Sequence, residues 1–228
     1  MNVPIPPNEF GRLAALREYY ILDTAAEQAF EDITALAAFV CDVPIAIISL
    51  VDEARQWFKS RIGINEQQTP RDIAFCAYAI MRPEPLIVHD ACADARFENS
   101  KLVTEEPRIR FYAGFPLISH TGFGLGALCA VDRKPRHISP PQQAAMQGLS
   151  RQVMALLELR RLSARMANTL ETMKSVHGHI LVCFCCQRVR DHQGNWLPPE
   201  AFLRKELEAS VSPGICPDCF EKDNLSVA

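Results

Sequence analysis

The chain has 228 residues, 48% of them hydrophobic, and sets 24 Lys and Arg against 27 Asp and Glu for a formal charge of −3. That length supports a substantial core with an appendage, and the near balance of charge gives no general attraction for nucleic acid or an anionic membrane, so neither is expected as a partner. No apolar run approaches the roughly 20 residues of a membrane span, and MNVPIPPNEF has no basic segment ahead of an apolar one, so a soluble cytoplasmic protein is expected.

In chain order, Asn8 is placed to cap a helix with Phe10, Leu13, Leu16 and Tyr20 on its apolar side, ending near Asp23. Thr24 and Glu27 form the pattern of a capping box for a second helix, whose stripe is Phe30, Ile33, Leu36, Ala37 and Val40. Pro44–Val51 and Gln56–Ile62 read as strands around the charged turn at Asp52 and Glu53. Ile73–Met81 reads as a short helix, Leu86–Asp90 as a brief strand, and 91–109 as loop with a turn of helix.

Arg110–Asp132 reads as the hairpin at the middle of the sheet. Phe111, Ala113, Phe115 and Leu117 alternate with Tyr112, Gly114, Pro116 and Ile118, apolar on both faces, as a strand covered on two sides requires. In the return strand Leu125, Ala127, Cys129 and Val131 oppose Gly126, Leu128 and Ala130. Ser139 followed by two prolines opens a helix bearing Met146, Leu149, Val153 and Leu156, continued by Leu159, Leu162, Met166, Leu170 and Met173. A pattern of about 30 residues exceeds an ordinary globular helix, so its far end is expected to project and to form a homodimer.

The stretches RLAALREYYILDT, EQAFEDITALAAFVCDVPIAIISLVDEARQWFKSRIG, TPRDIAFCAYAI, VHDACADARFENSKLV and IRFYAGFPL followed by LGALCAVD, in that order and spacing, resemble the GAF domain. The resemblance implies an α+β fold: a PAS-like antiparallel β-sheet flanked by helices, with a small-ligand site between the sheet and the helices and loops on one face. By position Trp57, Phe58, Arg71, Phe75, Cys76, Phe97 and Tyr112 would line that site. Arg71 could anchor an anion, although its neighbour Asp72 offers a plain surface pair. Ala77 and Tyr78 follow Cys76 where bilin-carrying relatives commonly have His, so no covalent pigment is expected, and the NKFDE signature of cyclic-nucleotide GAF domains is not visible.

The C-terminal quarter carries Cys183 with Cys186 and, after about thirty residues, Cys216 with Cys219, two CxxC pairs able to wrap one tetrahedral Zn²⁺ as a closed structural site. Arg188, Arg190 and Lys205 are available to offset the charge of four thiolates. CxxCxRVRD, the GNW turn at Gly194–Trp196 and GICPDC at Gly214–Cys219 resemble a four-cysteine module found at the end of bacterial signalling proteins, with Cys185 as a departure from its pattern. The division expected is a GAF domain over 1–160, a helical extension over 161–178 and a zinc-binding module over 179–228.

No kinase, cyclase or nuclease domain fits the remaining length, so the leading expectation is a non-enzymatic regulatory protein that contacts an unknown protein partner through its zinc module. A second reading makes the CxxC pairs a thiol redox sensor. A third follows from the GAF branch that reduces free methionine sulfoxide with pocket cysteines, for which Cys76, Cys92 and Cys129 are available. Nucleic-acid binding through Arg188, Arg190, Arg204 and Lys205 is weak because Asp191, Glu200, Glu206 and Glu208 cancel that charge.

Overall fold

In a computed structural model of the chain the described residues are 3–176 and 181–207, with side chains described for 3–166 and 181–205. The chain forms two compact units, Met1–Ala164 and Arg165–Ala228. In the first, α1 (Glu9–Arg17) and α2 (Gln28–Cys41) precede the strands β1 (Ile45–Val51), β2 (Arg55–Ile62) and β3 (Gln68–Pro70). A 3₁₀ turn (Arg71–Ile73), α3 (Cys76–Ala79), β4 (Leu86–Val88) and α4 (Lys101–Thr104) lead to the hairpin of β5 (Phe111–Ile118) and β6 (Gly124–Asp132). The six strands form one antiparallel sheet in the order β3-β2-β1-β6-β5-β4. The 37-residue helix α5 (Pro140–Val176) follows, and it runs from the first unit into the second.

β1 and β6 lie at the centre, which explains why every residue of both is buried. Their backbones approach so closely that a Cβ on Gly126 would lie 1.9 Å from the Ser49 carbonyl oxygen, so a residue without a side chain is required there. One face of the sheet packs on helices: Leu16 and Tyr19, Phe30, Ile33 and Ala37 of α2, and Met146, Val153 and Leu157 of α5 cover Ile48, Leu50, Trp57, Phe111 and Phe115. Burial of each such large apolar side chain stabilises by roughly 1.5–3 kcal/mol. The opposite face packs on α3, α4 and their loops, with Ile45, Ile47, Phe58, Tyr112, Cys129 and Val131 pointing that way.

Several local expectations are corrected. α1 ends at Arg17, because Tyr20 and Asp23 take positive φ; Phe10 and Tyr20 are exposed. The Thr24–Glu27 box does not form: the fully buried Lys59 ammonium takes Thr24 Oγ1 at 2.9 Å, the Ala25 carbonyl at 2.6 Å and Glu27 Oε1 at 2.6 Å. α2 therefore begins after Glu27 without a side-chain cap. A reciprocal box does form at α5, where Gln142 Oε1 accepts from the Ser139 amide at 3.0 Å while Ser139 Oγ accepts from the Gln142 amide. Leu36 is exposed, and the buried line of α2 is Phe30, Ile33, Thr34, Ala37 and Cys41. Leu125 joins the helix-side core rather than the Cys129 face, next to an irregularity in the β5–β6 register at Leu117/Ile118. The buried line on α5 is Met146, Ser150, Val153, Leu157 and Arg161, whereas Leu159, Leu162 and Met166 are exposed.

In the second unit β7 (Val189–Arg190) and β8 (Trp196–Leu197) make a small hairpin followed by α6 (Pro199–Leu207). Asp191 knits it together, accepting from the amides of Gln193 and Asn195 and from Lys205 Nζ at 2.8 Å. Among the described residues no helix is long and apolar enough to cross a membrane.

Candidate functional site

Between the sheet and α3, α4 and their loops lies a cavity of about 150 Å³. Its floor comes from the strands: Ile45 and Ile47, Gln56 and Phe58, Tyr112, and Cys129 and Val131. Period-two alternation places them there, since each pair is two residues apart on its strand. Phe75 and Cys76 close one side, and Leu102, Pro107 and Ile109 another. Among the described residues the charged ones in the lining are Glu66 and Glu106, both exposed, with no Lys, Arg or His beside them. Two residues of the lining, Gln56 and Thr69, each carry a buried polar atom, Oε1 and Oγ1, that has no hydrogen-bond partner. Such orphaned groups cost roughly 1–3 kcal/mol each unless something pairs with them.

Deeper in the wall three side chains meet. Cys76 Sγ and Cys129 Sγ are 3.2 Å apart, and the Tyr112 hydroxyl lies 3.1 Å from the first and 3.3 Å from the second. Gly114 makes the room: it faces Cys129 across the β5–β6 pair, and a Cβ there would sit 2.2 Å from the Tyr112 hydroxyl oxygen. Burial alone would push both thiols up. At Cys76 hydrogen bonds with Cys129 and Tyr112 outweigh burial and hold the thiol below its ordinary value. At Cys129 burial, with the Cys76 sulfur adding to it, pushes the thiol well up, and burial likewise pushes up the Tyr112 phenol.

Of the seven residues assigned to this site from sequence, Phe58, Phe75, Cys76 and Tyr112 come together around the cavity. Three do not. Trp57 neighbours Phe58 on β2 and so faces the helix side of the sheet. Phe97 forms a layer behind the wall, stacked on Phe75 at 4.1 Å. Arg71 pairs with neither a cavity group nor Asp72; its guanidinium reaches Glu9 at 2.6 Å and the carbonyls of Asp52 and Glu53. There it forms a clamp with Arg12, which grips Glu9 at 2.8 and 2.6 Å and donates to the Val51 carbonyl at 2.7 Å. Gln56 and Thr69 were missed, although alternation from Phe58 would have found Gln56; Cys129, considered only for reductase chemistry, also joins the lining. Cys92 is exposed, so the three cysteines considered for reductase chemistry are not gathered.

In the cysteine module Cys183 and Cys186 are described, while Cys216 and Cys219 lie outside the described residues. The Cys183 amide donates to the Arg188 carbonyl and its carbonyl accepts from the Gln187 amide, both at 2.8 Å, with Gln187 at positive φ. Inside this tight loop backbone hydrogen bonds from Cys186 and Cys185 lower the Cys183 thiol below its ordinary value. That is the protonation bias a thiolate metal ligand needs.

The family model of the GAF domain matches residues 25–157, more than half of the chain. The chain belongs to the GAF family. This is a GAF sensor domain in a bacterial signalling protein. A cyclic di-GMP phosphodiesterase of Pseudomonas aeruginosa is 44% identical over 153 residues, which cover 67% of this chain and 26% of that protein. The chain thus matches about a quarter of the relative's length. Among solved structures, the GAF domain of a phosphoenolpyruvate-protein phosphotransferase from Coxiella burnetii superposes with a TM-score of 0.52 at 17% identity, covering 69% of this chain and 99% of that one. The corresponding Acinetobacter GAF domain gives 0.50 at 17% identity, covering 68% and 95%. These two likenesses bear on the fold. The expectation of a non-enzymatic protein, argued from the length left after the GAF domain, is overturned by the Pseudomonas relative: a protein carrying so similar a sequence is named for an enzymatic activity.

Proposed function

We propose that this GAF domain senses a small, phosphate-free organic molecule that brings hydrogen-bond donors into the cavity, and that its occupancy governs cyclic di-GMP turnover. The observation carrying this reading is the chemistry of the lining: it is apolar, its charged residues are carboxylates, and it includes Gln56 and Thr69, each with a buried polar atom that has no partner. An amide or protonated amine satisfies Gln56 and is favoured by Glu66 and Glu106, whereas a phosphate meets no cation. A cavity of about 150 Å³ takes a body about the size of benzene, well below the bulk of a cyclic nucleotide. The link to cyclic di-GMP rests on the name of the Pseudomonas relative.

The readout is proposed to pass along α5. Leu159, Leu162 and Met166 present apolar side chains to solvent, and a second copy of the chain is the occupant that the heptad spacing favours. The C-terminal module is proposed to hold a structural Zn²⁺ through Cys183, Cys186, Cys216 and Cys219 and to contact a protein partner; the lowered Cys183 thiol supports the first half of this.

The test is calorimetric titration of the full chain with small amides and amines, with cyclic nucleotides as the contrast. Saturable binding of a small donor, weakened at least tenfold in Gln56→Leu, supports the reading. Binding of a nucleotide in its place, or donor binding indifferent to Gln56→Leu, refutes it. A bound donor that leaves cyclic di-GMP levels unchanged in cells expressing the protein would remove the second half alone.

A further inference from the structure

We propose that Cys76 and Cys129 form a reversible disulfide within the cavity wall, with a small hydroperoxide admitted by the cavity as the oxidant. The two residues are 53 positions apart, one opening α3 and the other on β6, yet the fold sets their sulfurs 3.2 Å from each other. A disulfide bond is about 2.05 Å long, so the sulfurs must close by about 1 Å, a shift within reach of side-chain rotation and a small movement of the four-residue α3. Both cysteines line the cavity, so an entering molecule meets them although neither is on the outer surface. The other two cysteines of this unit, Cys41 and Cys92, lack this arrangement. Cys41 is buried on the helix side, its thiol pushed up to about 11 by burial, and Cys92 is exposed with no second thiol recorded near it.

The roles follow from the surroundings. The Tyr112 hydroxyl donates to the Cys76 sulfur, which has the lowered thiol, so Cys76 is the attacking group and Cys129 the resolving one. The Cys76 sulfur attacks the distal oxygen of the hydroperoxide, the O–O bond breaks, and the alcohol or water fragment departs with the thiol's proton, leaving a sulfenic acid on Cys76. The Cys129 sulfur then attacks the Cys76 sulfur; the S–O bond breaks, and the hydroxyl leaves as water with the Cys129 proton. Two thiols and one hydroperoxide thus become one disulfide, one alcohol (or water) and one water; the sulfurs lose two electrons and the peroxide gains them. The apolar, narrow cavity selects for hydrogen peroxide or a small alkyl hydroperoxide and against a bulky disulfide such as oxidised glutathione. None of this requires that the cavity also hold the small donor proposed above.

The full chain is treated with hydrogen peroxide, tert-butyl hydroperoxide or oxidised glutathione, then denatured in iodoacetamide and digested without reductant for peptide mass mapping. The expected result is about one Cys76–Cys129 cross-link per chain with either peroxide, lost after dithiothreitol and nearly absent with oxidised glutathione. In Cys129→Ser, dimedone is expected to trap Cys76 as its sulfenic acid, since no resolving thiol is present. Iodoacetamide on both Cys76 and Cys129 after a peroxide dose that oxidises the exposed Cys92 would overturn the proposal. So would a cross-link formed as readily by the unfolded chain, and neither outcome depends on a variant that must fold.

Discussion

Arg71 invites a direct test, because the residue chosen from sequence as an anion anchor sits in a clamp that holds α1 to the turn after β1. Its Nη1 makes one strong charge-assisted bond, to Glu9 Oε1 at 2.6 Å, and two longer ones to the carbonyls of Asp52 and Glu53 at 3.1 and 3.3 Å. Its Nη2 is buried without a hydrogen-bond partner. In Arg71→Met the apolar stem is kept and the Glu9 bond is lost, a cost of roughly 1.5–3 kcal/mol, while removal of the orphaned Nη2 returns about 1 kcal/mol. The net is about 0.5–2 kcal/mol. Arg12→Met is the contrast: Arg12 is 1% exposed, holds Glu9 through two bonds and is the donor to Val51. Breaking a buried pair of this kind costs roughly 3–5 kcal/mol. For a folded unit of this size each kcal/mol moves the melting temperature by about 2–4 °C, so thermal unfolding followed by circular dichroism separates the two. Arg71→Met is expected to lower Tm by about 1–8 °C and Arg12→Met by about 6–20 °C. Equal losses, or an Arg71→Met protein with unchanged Tm that no longer binds a cavity ligand, would refute the clamp and restore Arg71 as an anchor.

Gly126→Ala is expected to destabilise by about 3 kcal/mol or more, read as a lower urea midpoint, because the added methyl meets the Ser49 carbonyl at the centre of the sheet and neither backbone can yield. Acid should weaken the same clamp. Burial alone would raise the Glu9 carboxyl, but the Arg12 and Arg71 guanidiniums outweigh it and hold it below its ordinary value of 4.5. Its contribution is therefore complete above that value and is lost as pH falls through the lower folded one. Tm measured against pH should decline below pH 4.5, with a shallower decline in Glu9→Gln. Leu159→Glu combined with Met166→Glu is expected to convert a dimer to monomer by sedimentation velocity without changing cavity binding, since both side chains are exposed and neither touches the cavity.

The fold was legible where the side-chain period is unambiguous. β1, β5 and β6 carry enough apolar residues to fix their existence, and alternation along β5 put Phe111 and Phe115 on one side and Tyr112 on the other. On β2, where only Trp57, Phe58 and Ile62 are apolar, facing was not legible and Trp57 was assigned to the wrong side. Helix faces were read less well. Leu36 was preferred to Thr34 on hydrophobicity, yet the angular position of Thr34 puts it in the stripe, and its hydroxyl is satisfied by the Phe30 carbonyl at 3.0 Å. The Thr24–Glu27 box failed for a reason outside its own segment: Lys59, 35 residues away, takes the oxygens a helix cap would have used.

That last case explains most of what was hidden in the site. A cation's partner is decided by the fold, and Arg12, Lys59 and Arg71 are all buried by pairing with carboxylates and carbonyls of the segments from Glu9 to Glu27 and from Val51 to Glu53. Arg71 stands beside Asp72 in sequence but pairs 62 positions back, with Glu9. Lys59 stands one residue from the cavity-facing Phe58 but, by alternation, turns to the other side of the sheet. These cations serve to fasten the N-terminal segments to the strands, and their diversion is what leaves the cavity with only acidic charges. The ligand chemistry proposed for this GAF domain is therefore set as much by where its basic residues are spent as by the residues that remain in the lining. Returning a cation to the lining, as in Thr69→Lys, should weaken binding of a cationic donor and create measurable affinity for a small phosphate or carboxylate, with calorimetry as the readout. A Thr69→Lys protein that still prefers the cationic donor would show that the sign of the lining does not select the ligand.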